Sequence, residues 1–128
     1  MNLAAAGKNY PERSFTIDPA RVAAFRSIFG EQHGVPPTFV TAAEFSVIPQ
    51  IVDDPELELD FSRVVHGRQE YEFRRPLREG ETLTVRSRID SIRTFGGNAL
   101  LVIATDLVDP VGAVACSARS TMIERSRG

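Results

Sequence analysis

Residues 65–84 read VHGRQEYEFRRPLREGETLT, a period-2 run followed by a proline and a glycine turn. Successive side chains of a strand alternate between faces. Val65, Gly67, Gln69, Tyr71 and Phe73 are therefore expected on one side, and His66, Arg68, Glu70, Glu72 and Arg74 on the other. The first set is mostly core; the second is a charged surface. Pro76 has no N–H to give a ladder and Glu79-Gly80 supplies a turn, so the strand should end near Arg75 and a new one begin near Thr82.

Downstream, Leu83, Val85, Ser87 and Ile89 alternate with Thr84, Arg86, Arg88 and Asp90, the pattern of a half-buried strand. Gly96-Gly97-Asn98 marks a turn. The next run, residues 99–108, is apolar on both faces through Leu100, Leu101, Val102, Ile103 and Leu107, and should lie centrally in a sheet. Asp109-Pro110-Val111-Gly112 turns the chain again before a last strand over residues 113–124. Upstream, Asp18-Pro19 starts a helix, with Asp18 capping and Pro19 where its missing N–H costs nothing. That helix places Val22, Phe25, Ile28 and Phe29 on one face and ends at Gly30. A second helix is predicted over residues 38–52, kinked or restarted at Pro49. Val40, Ala43, Phe45, Val47, Ile48 and Ile51 leave it little polar face, as for a helix surrounded by a sheet. Helices followed by consecutive strands give an α+β class.

The chain has 128 residues, 42% hydrophobic and 25% charged, which fits one domain, 1–128, with a real core. A net charge of -2 argues against a nucleic-acid or anionic-membrane partner, which requires a cationic field. The single cysteine, Cys116, cannot close an internal disulfide, which is compatible with the cytoplasm. No run of about 18 apolar residues exists, so no transmembrane helix is expected. The opening MNLAAAGK is too short and weakly apolar for a signal peptide.

The spacing His66-Gly67-x-Gln69 followed by Arg75-Pro76-Leu77, Gly80-Glu81 and Leu83 resembles the N-terminal type of MaoC-like dehydratase, whose pattern is H-G-x-Q-x-x-x-x-x-R-P-L-x-x-G-[DE]-x-L. Tyr10-Pro11, Phe15-Thr16-Ile17, residues 22–30 and Val35-Pro36-Pro37-Thr38-Phe39 are similar to that family's opening segment, and Ala118-Arg119-Ser120-Thr121 with Arg125 to its closing strand. The resemblance implies a hot-dog fold, an antiparallel sheet wrapped around a central helix. It also implies action on acyl thioesters of coenzyme A or acyl carrier protein, with no other cofactor.

Catalytic members of the superfamily carry D-x-N-P-x-H after the first helix, an Asp and a His that activate water. Reversible hydration needs such a pair, one group for the water proton and one for the proton at the neighbouring carbon. Here the corresponding place reads Gly30-Glu31-Gln32-His33-Gly34, so the element is absent, and Glu31 with His33 is at best a relocated pair set against a solvated loop. His66 could polarise a thioester or move a proton. The alternative is a structural histidine, since no carboxylate stands at a defined spacing to orient it. Phe39, Phe45 and Ile48 are expected to line or back an acyl tunnel beside the helix, or else to pack as core. Arg68, Arg74, Arg75 and Arg78 could receive the phosphates of a coenzyme A or carrier-protein arm, or form a solvated strand end neutralised by Glu70, Glu72, Glu79 and Glu81. Cys116 reads as a small buried residue, and two His with one Cys lack the spacing of a metal site.

Two functions follow. In one, the chain is the acyl-holding, non-catalytic half of a split (3R)-hydroxyacyl dehydratase whose partner chain carries D-x-N-P-x-H. In the other, it is a self-sufficient homodimeric hydratase or an acyl-CoA thioesterase. A thioesterase would want an activated Glu or Asp near a helix N-terminus; Glu44 is the only acidic residue within the second helix, and it reads as a helix surface charge.

Overall fold

Asp18 and Pro19 begin the first helix as their chemistry dictates: Asp18 Oδ1 accepts the Ala20 N–H at 3.0 Å, and α1 runs Pro19–Phe29. The computed structural model describes residues 1–29 and 34–126, so the expected stop at Gly30 lies outside the described residues. Val22 is fully buried, and Phe25 meets Phe39 edge-on with ring centroids 5.5 Å apart. Ile28 was expected on the same face yet is 77% exposed. Steps of three residues drift around a helix that turns every 3.6, so by the second step the position has moved about 120° off the buried stripe.

The predicted second helix is three pieces: a 3-10 turn at Pro37–Phe39, α2 at Val40–Phe45 and α3 at Ile48–Val52. Pro49 cannot donate to the Phe45 carbonyl and its ring would strike it, so the α-ladder closes before it. The Ser46 and Val47 amides tighten onto the carbonyls of Ala43 and Glu44 at 3.2 and 3.1 Å, and α3 starts afresh with Pro49 in its first turn.

The sheet has five antiparallel strands in the order β1-β3-β4-β5-β2, where β1 is Arg13–Thr16, β2 Val64–Phe73, β3 Thr82–Phe95, β4 Asn98–Val108 and β5 Val114–Glu124. Thr82 opens β3 where the Pro76 and Gly80 signals placed it, and β4 is central as its apolar run requires. Gly96 and Gly97 both have positive φ, 53° and 81°, the backbone a two-residue hairpin between twisted strands demands. The core lies between the sheet and the helical segment in two clusters. Val40, Ala43 and Val47 pack with Leu83, Val85, Leu107 and Cys116; Ile48 and Ile51 pack with Ile89, Leu101, Ile103 and Met122. No helix among the described residues is long and apolar enough to cross a membrane.

The alternation expected along β2 breaks once. His66 pairs with Met122 and Arg68 with Thr121, so Gly67 is an extra residue, a β-bulge that shifts the strand's phase. Beyond it Gln69 and Tyr71 face inward as predicted. Before it the faces are exchanged: Val65 is 44% exposed, whereas Val64 and His66 share the inner side with Met122. Glycine suits the bulge, because a Cβ there would come within 3.2 Å of Ile123 Cδ1. His66 therefore does not stand on the charged outer face.

Candidate functional site

The phase shift brings His66 into a cleft of about 460 Å³ walled by Phe45, Ile48, Pro49, Phe61, Val64 and Met122. The helical break supplies one wall, since α2 ends with Phe45 and α3 begins with Ile48 and Pro49. The inner side of β2 and β5 supplies the other. Of these side chains only His66 carries a polar group.

Behind His66 lies a chain of hydrogen-bonded polar groups. Its Nε2 is 2.8 Å from Gln69 Oε1 and 3.0 Å from the Ser120 hydroxyl. The Gln69 amide nitrogen donates to Glu44 Oε1, to which the Tyr71 hydroxyl also donates at 3.2 Å. Glu44 has no exposed surface, and its Oε2 is buried without a partner among the described residues. Burial pushes the Glu44 carboxyl above the usual carboxylate range, against the opposing pull of the Gln69 and Tyr71 hydrogen bonds and of His66. Burial likewise raises the Tyr71 hydroxyl.

Glu44 is thus a buried acid and not the surface charge its residue type suggested. Val40, Val47 and Ile48, at offsets of three and four, lie on the same buried stripe, and that spacing was the available signal. The carboxylate that no sequence spacing offered to His66 reaches it through Gln69, from an element some twenty residues upstream. Ser120 and Met122 were also missed, because only the β2–β5 register brings them to His66, and so was Gln69, because only the bulge at Gly67 puts it on the same side of β2 as His66.

The other sequence candidates are dispersed. Glu31 and His33 lie outside the described residues. Phe45 is half-exposed and Ile48 is 6% exposed, and both line the cleft. Phe39 is 3% exposed in the core against Phe25. Arg74 and Arg75 border a separate hollow of about 430 Å³ with Val35, Phe73 and Leu77. Arg75 is already committed to Glu81 and, at 3.7 Å, to Asp109, and Arg68 pairs with Glu70 at 2.6 Å; Arg74 is exposed. Burial pushes the Cys116 thiol up to about 11, so it is no ready nucleophile. Among the described residues no group of three His, Cys, Asp or Glu could hold a metal ion.

A family profile described as the FAS1-like dehydratase domain region matches residues 4–117. The chain belongs to that family. This FAS1-like dehydratase domain is 41% identical over 91 residues to a UPF0336 protein of Streptomyces coelicolor, an alignment covering 71% of this chain and 61% of the relative. It is 32% identical over 112 residues to a UPF0336 protein of Leifsonia xyli, covering 88% and 72%. It therefore spans about three fifths of the Streptomyces relative's length. Among solved structures, a chain of the C-terminally truncated HadBC (3R)-hydroxyacyl-ACP dehydratase complex of Mycobacterium tuberculosis superposes with a TM-score of 0.81 at 19% identity, covering 96% of this chain and 99% of that one. A MaoC-like dehydratase superposes at 0.85 and 16% identity, covering 99% and 44%. The α+β hot-dog fold expected from the resemblance of residues 66–83 is the fold of these proteins.

Proposed function

We propose that this FAS1-like dehydratase domain is the acyl-thioester-binding subunit of a (3R)-hydroxyacyl-CoA or -ACP dehydratase, paired with a second hot-dog chain that supplies the D-x-N-P-x-H acid and base. The observation that carries the reading is the apolar cleft of about 460 Å³ between the broken central helix and β2. An apolar cleft with one polar group suits an acyl chain, whose binding is driven by apolar burial and oriented by few polar contacts. The cleft adjoins β2, which is a free sheet edge, so a partner strand added there would stand beside it. A structure of the same fold described as a hydroxyacyl-ACP dehydratase complex supports the pairing.

A specific observation favours a second reading. Glu44 is a buried acid with a raised pKa, on the central helix and linked to a histidine at the cleft, which is the kind of group a self-sufficient hydratase or a thioesterase would use. One set of assays separates the two. The chain alone should hydrate crotonyl-CoA poorly and release no free coenzyme A from acyl-CoA. Co-expression with a D-x-N-P-x-H hot-dog chain should restore hydration. Robust turnover by the isolated protein would reject the split arrangement; its loss in Glu44→Gln would then locate the chemistry at the buried acid, and its loss in Glu31→Gln or His33→Ala at the relocated pair.

A further inference from the structure

Glu44 Oε1 accepts from the Tyr71 hydroxyl and from the Gln69 amide nitrogen, so the part of Gln69 that faces Glu44 is its NH2 group, the only donor the amide has. This orients the whole amide. Gln69 Oε1, a pure acceptor, is then the atom 2.8 Å from His66 Nε2, and an acceptor there requires the proton on Nε2. The Ser120 hydroxyl at 3.0 Å adapts by rotating to accept alongside. A neutral imidazole has one N–H, so Nδ1 is left as a lone pair, with no hydrogen-bond partner among the described residues.

We propose that Glu44, acting through Gln69, holds His66 in the Nε2–H form, so that the cleft offers a single hydrogen-bond acceptor in an apolar wall and prefers an acyl chain bearing a hydroxyl to the same chain without one. The preference rests on the acyl-thioester reading given above; the tautomer does not. Glu44 and Gln69 are positioning residues, since neither lines the cleft, and His66 is the residue that meets the ligand. A hydroxyl entering an apolar slot gives up its water and must find an acceptor. Nδ1 is the acceptor provided, and a carbonyl or a bare methylene gains nothing from it. Neutral hydrogen bonds of this kind change affinity by about three- to tenfold.

The test has two arms. In 15N-labelled protein carrying His33→Gln, His66 is the sole histidine, and its ring nitrogen shifts at pH 8 report which atom holds the proton. Wild-type context should show Nε2–H with a bare Nδ1. Gln69→Leu should relax this to a mixture, and Glu44→Leu, which removes the buried acid and frees the amide to flip, should do the same should the first variant fold poorly. In the second arm, calorimetry with 3-hydroxyoctanoyl-CoA and octanoyl-CoA should show about three- to tenfold tighter binding of the hydroxylated thioester, lost in both variants and in His66→Phe. An Nδ1–H form in the unmodified network, an Nε2–H form that survives both variants, or equal affinities for the two thioesters would overturn the proposal. If neither thioester binds while the Nε2–H form is present, the acyl reading itself has failed and the selectivity falls with it.

Discussion

A carboxyl group without exposed surface must be held by donors or by a proton, and Glu44 has donors on one oxygen only. Its folded pKa is raised above the ordinary value of 4.5 by burial. The native state therefore keeps a proton over a range in which the unfolded chain has released it. The sign follows: the stability tied to this proton is fully present below pH 4.5 and is lost as pH rises through the folded value. Glu44→Gln keeps the shape and removes the titration. Urea midpoints measured across pH should show the variant gaining on wild type as pH rises above 4.5, with the gain levelling once Glu44 is ionised. A difference that is flat in pH would mean that the carboxyl is not desolvated. The residue was misjudged from sequence because a lone acid on a helix is usually solvated. The stripe of Val40, Val47 and Ile48 carried the contrary information.

Among the elements, the broken central helix divides labour between two phenylalanines that sequence alone treats alike. Phe39 precedes α2 and is packed on all sides; Phe45 ends it and is half-exposed at the cleft. Phe39→Ala should cost about 3 to 5 kcal/mol, the usual penalty for emptying a core aromatic. Phe45→Ala should cost only about 1 kcal/mol, since roughly half of its ring surface is already wet. It should instead widen the cleft and shift acyl preference toward longer chains, read by calorimetry over an acyl-CoA series. Destabilisation by Phe45→Ala with unchanged preference would remove the residue from the site. Strand starts and ends were legible, because Pro76, Gly80 and the Gly96-Gly97 pair act locally on the backbone. The extra residue at Gly67 was not, because a bulge is a property of two strands, and β5 decides it from the far end of the sheet.

For the whole molecule the consequential feature is the open edge of β2, where Arg68, Glu70 and Glu72 are exposed. A two-fold axis near Glu70 would place Arg68 of one copy opposite Glu72 of the other. A simple extension of that register would set His66 opposite Arg74, but the bulge uses up a residue between His66 and Glu70 and Arg74 lies past the end of the strand, so that pair does not form. Arg68→Glu should weaken a dimer formed there, and adding Glu72→Arg should partly restore it. Each step is worth about 0.2 to 1 kcal/mol by sedimentation equilibrium. A monomer at micromolar concentration, or a dimer indifferent to both changes, would place any assembly elsewhere. The same edge has a history within a single molecule. Phe73 pairs with Cys116 and Val64 with Glu124, so on the ribosome β2 emerges well before the strand that will hold it. Until β5 follows, β2 has no neighbour on either side and the cleft has only one wall. The docking of β5 on β2 is thus also the step that completes the candidate cleft, and in the interval before it a strand of another nascent or finished chain can claim β2 first.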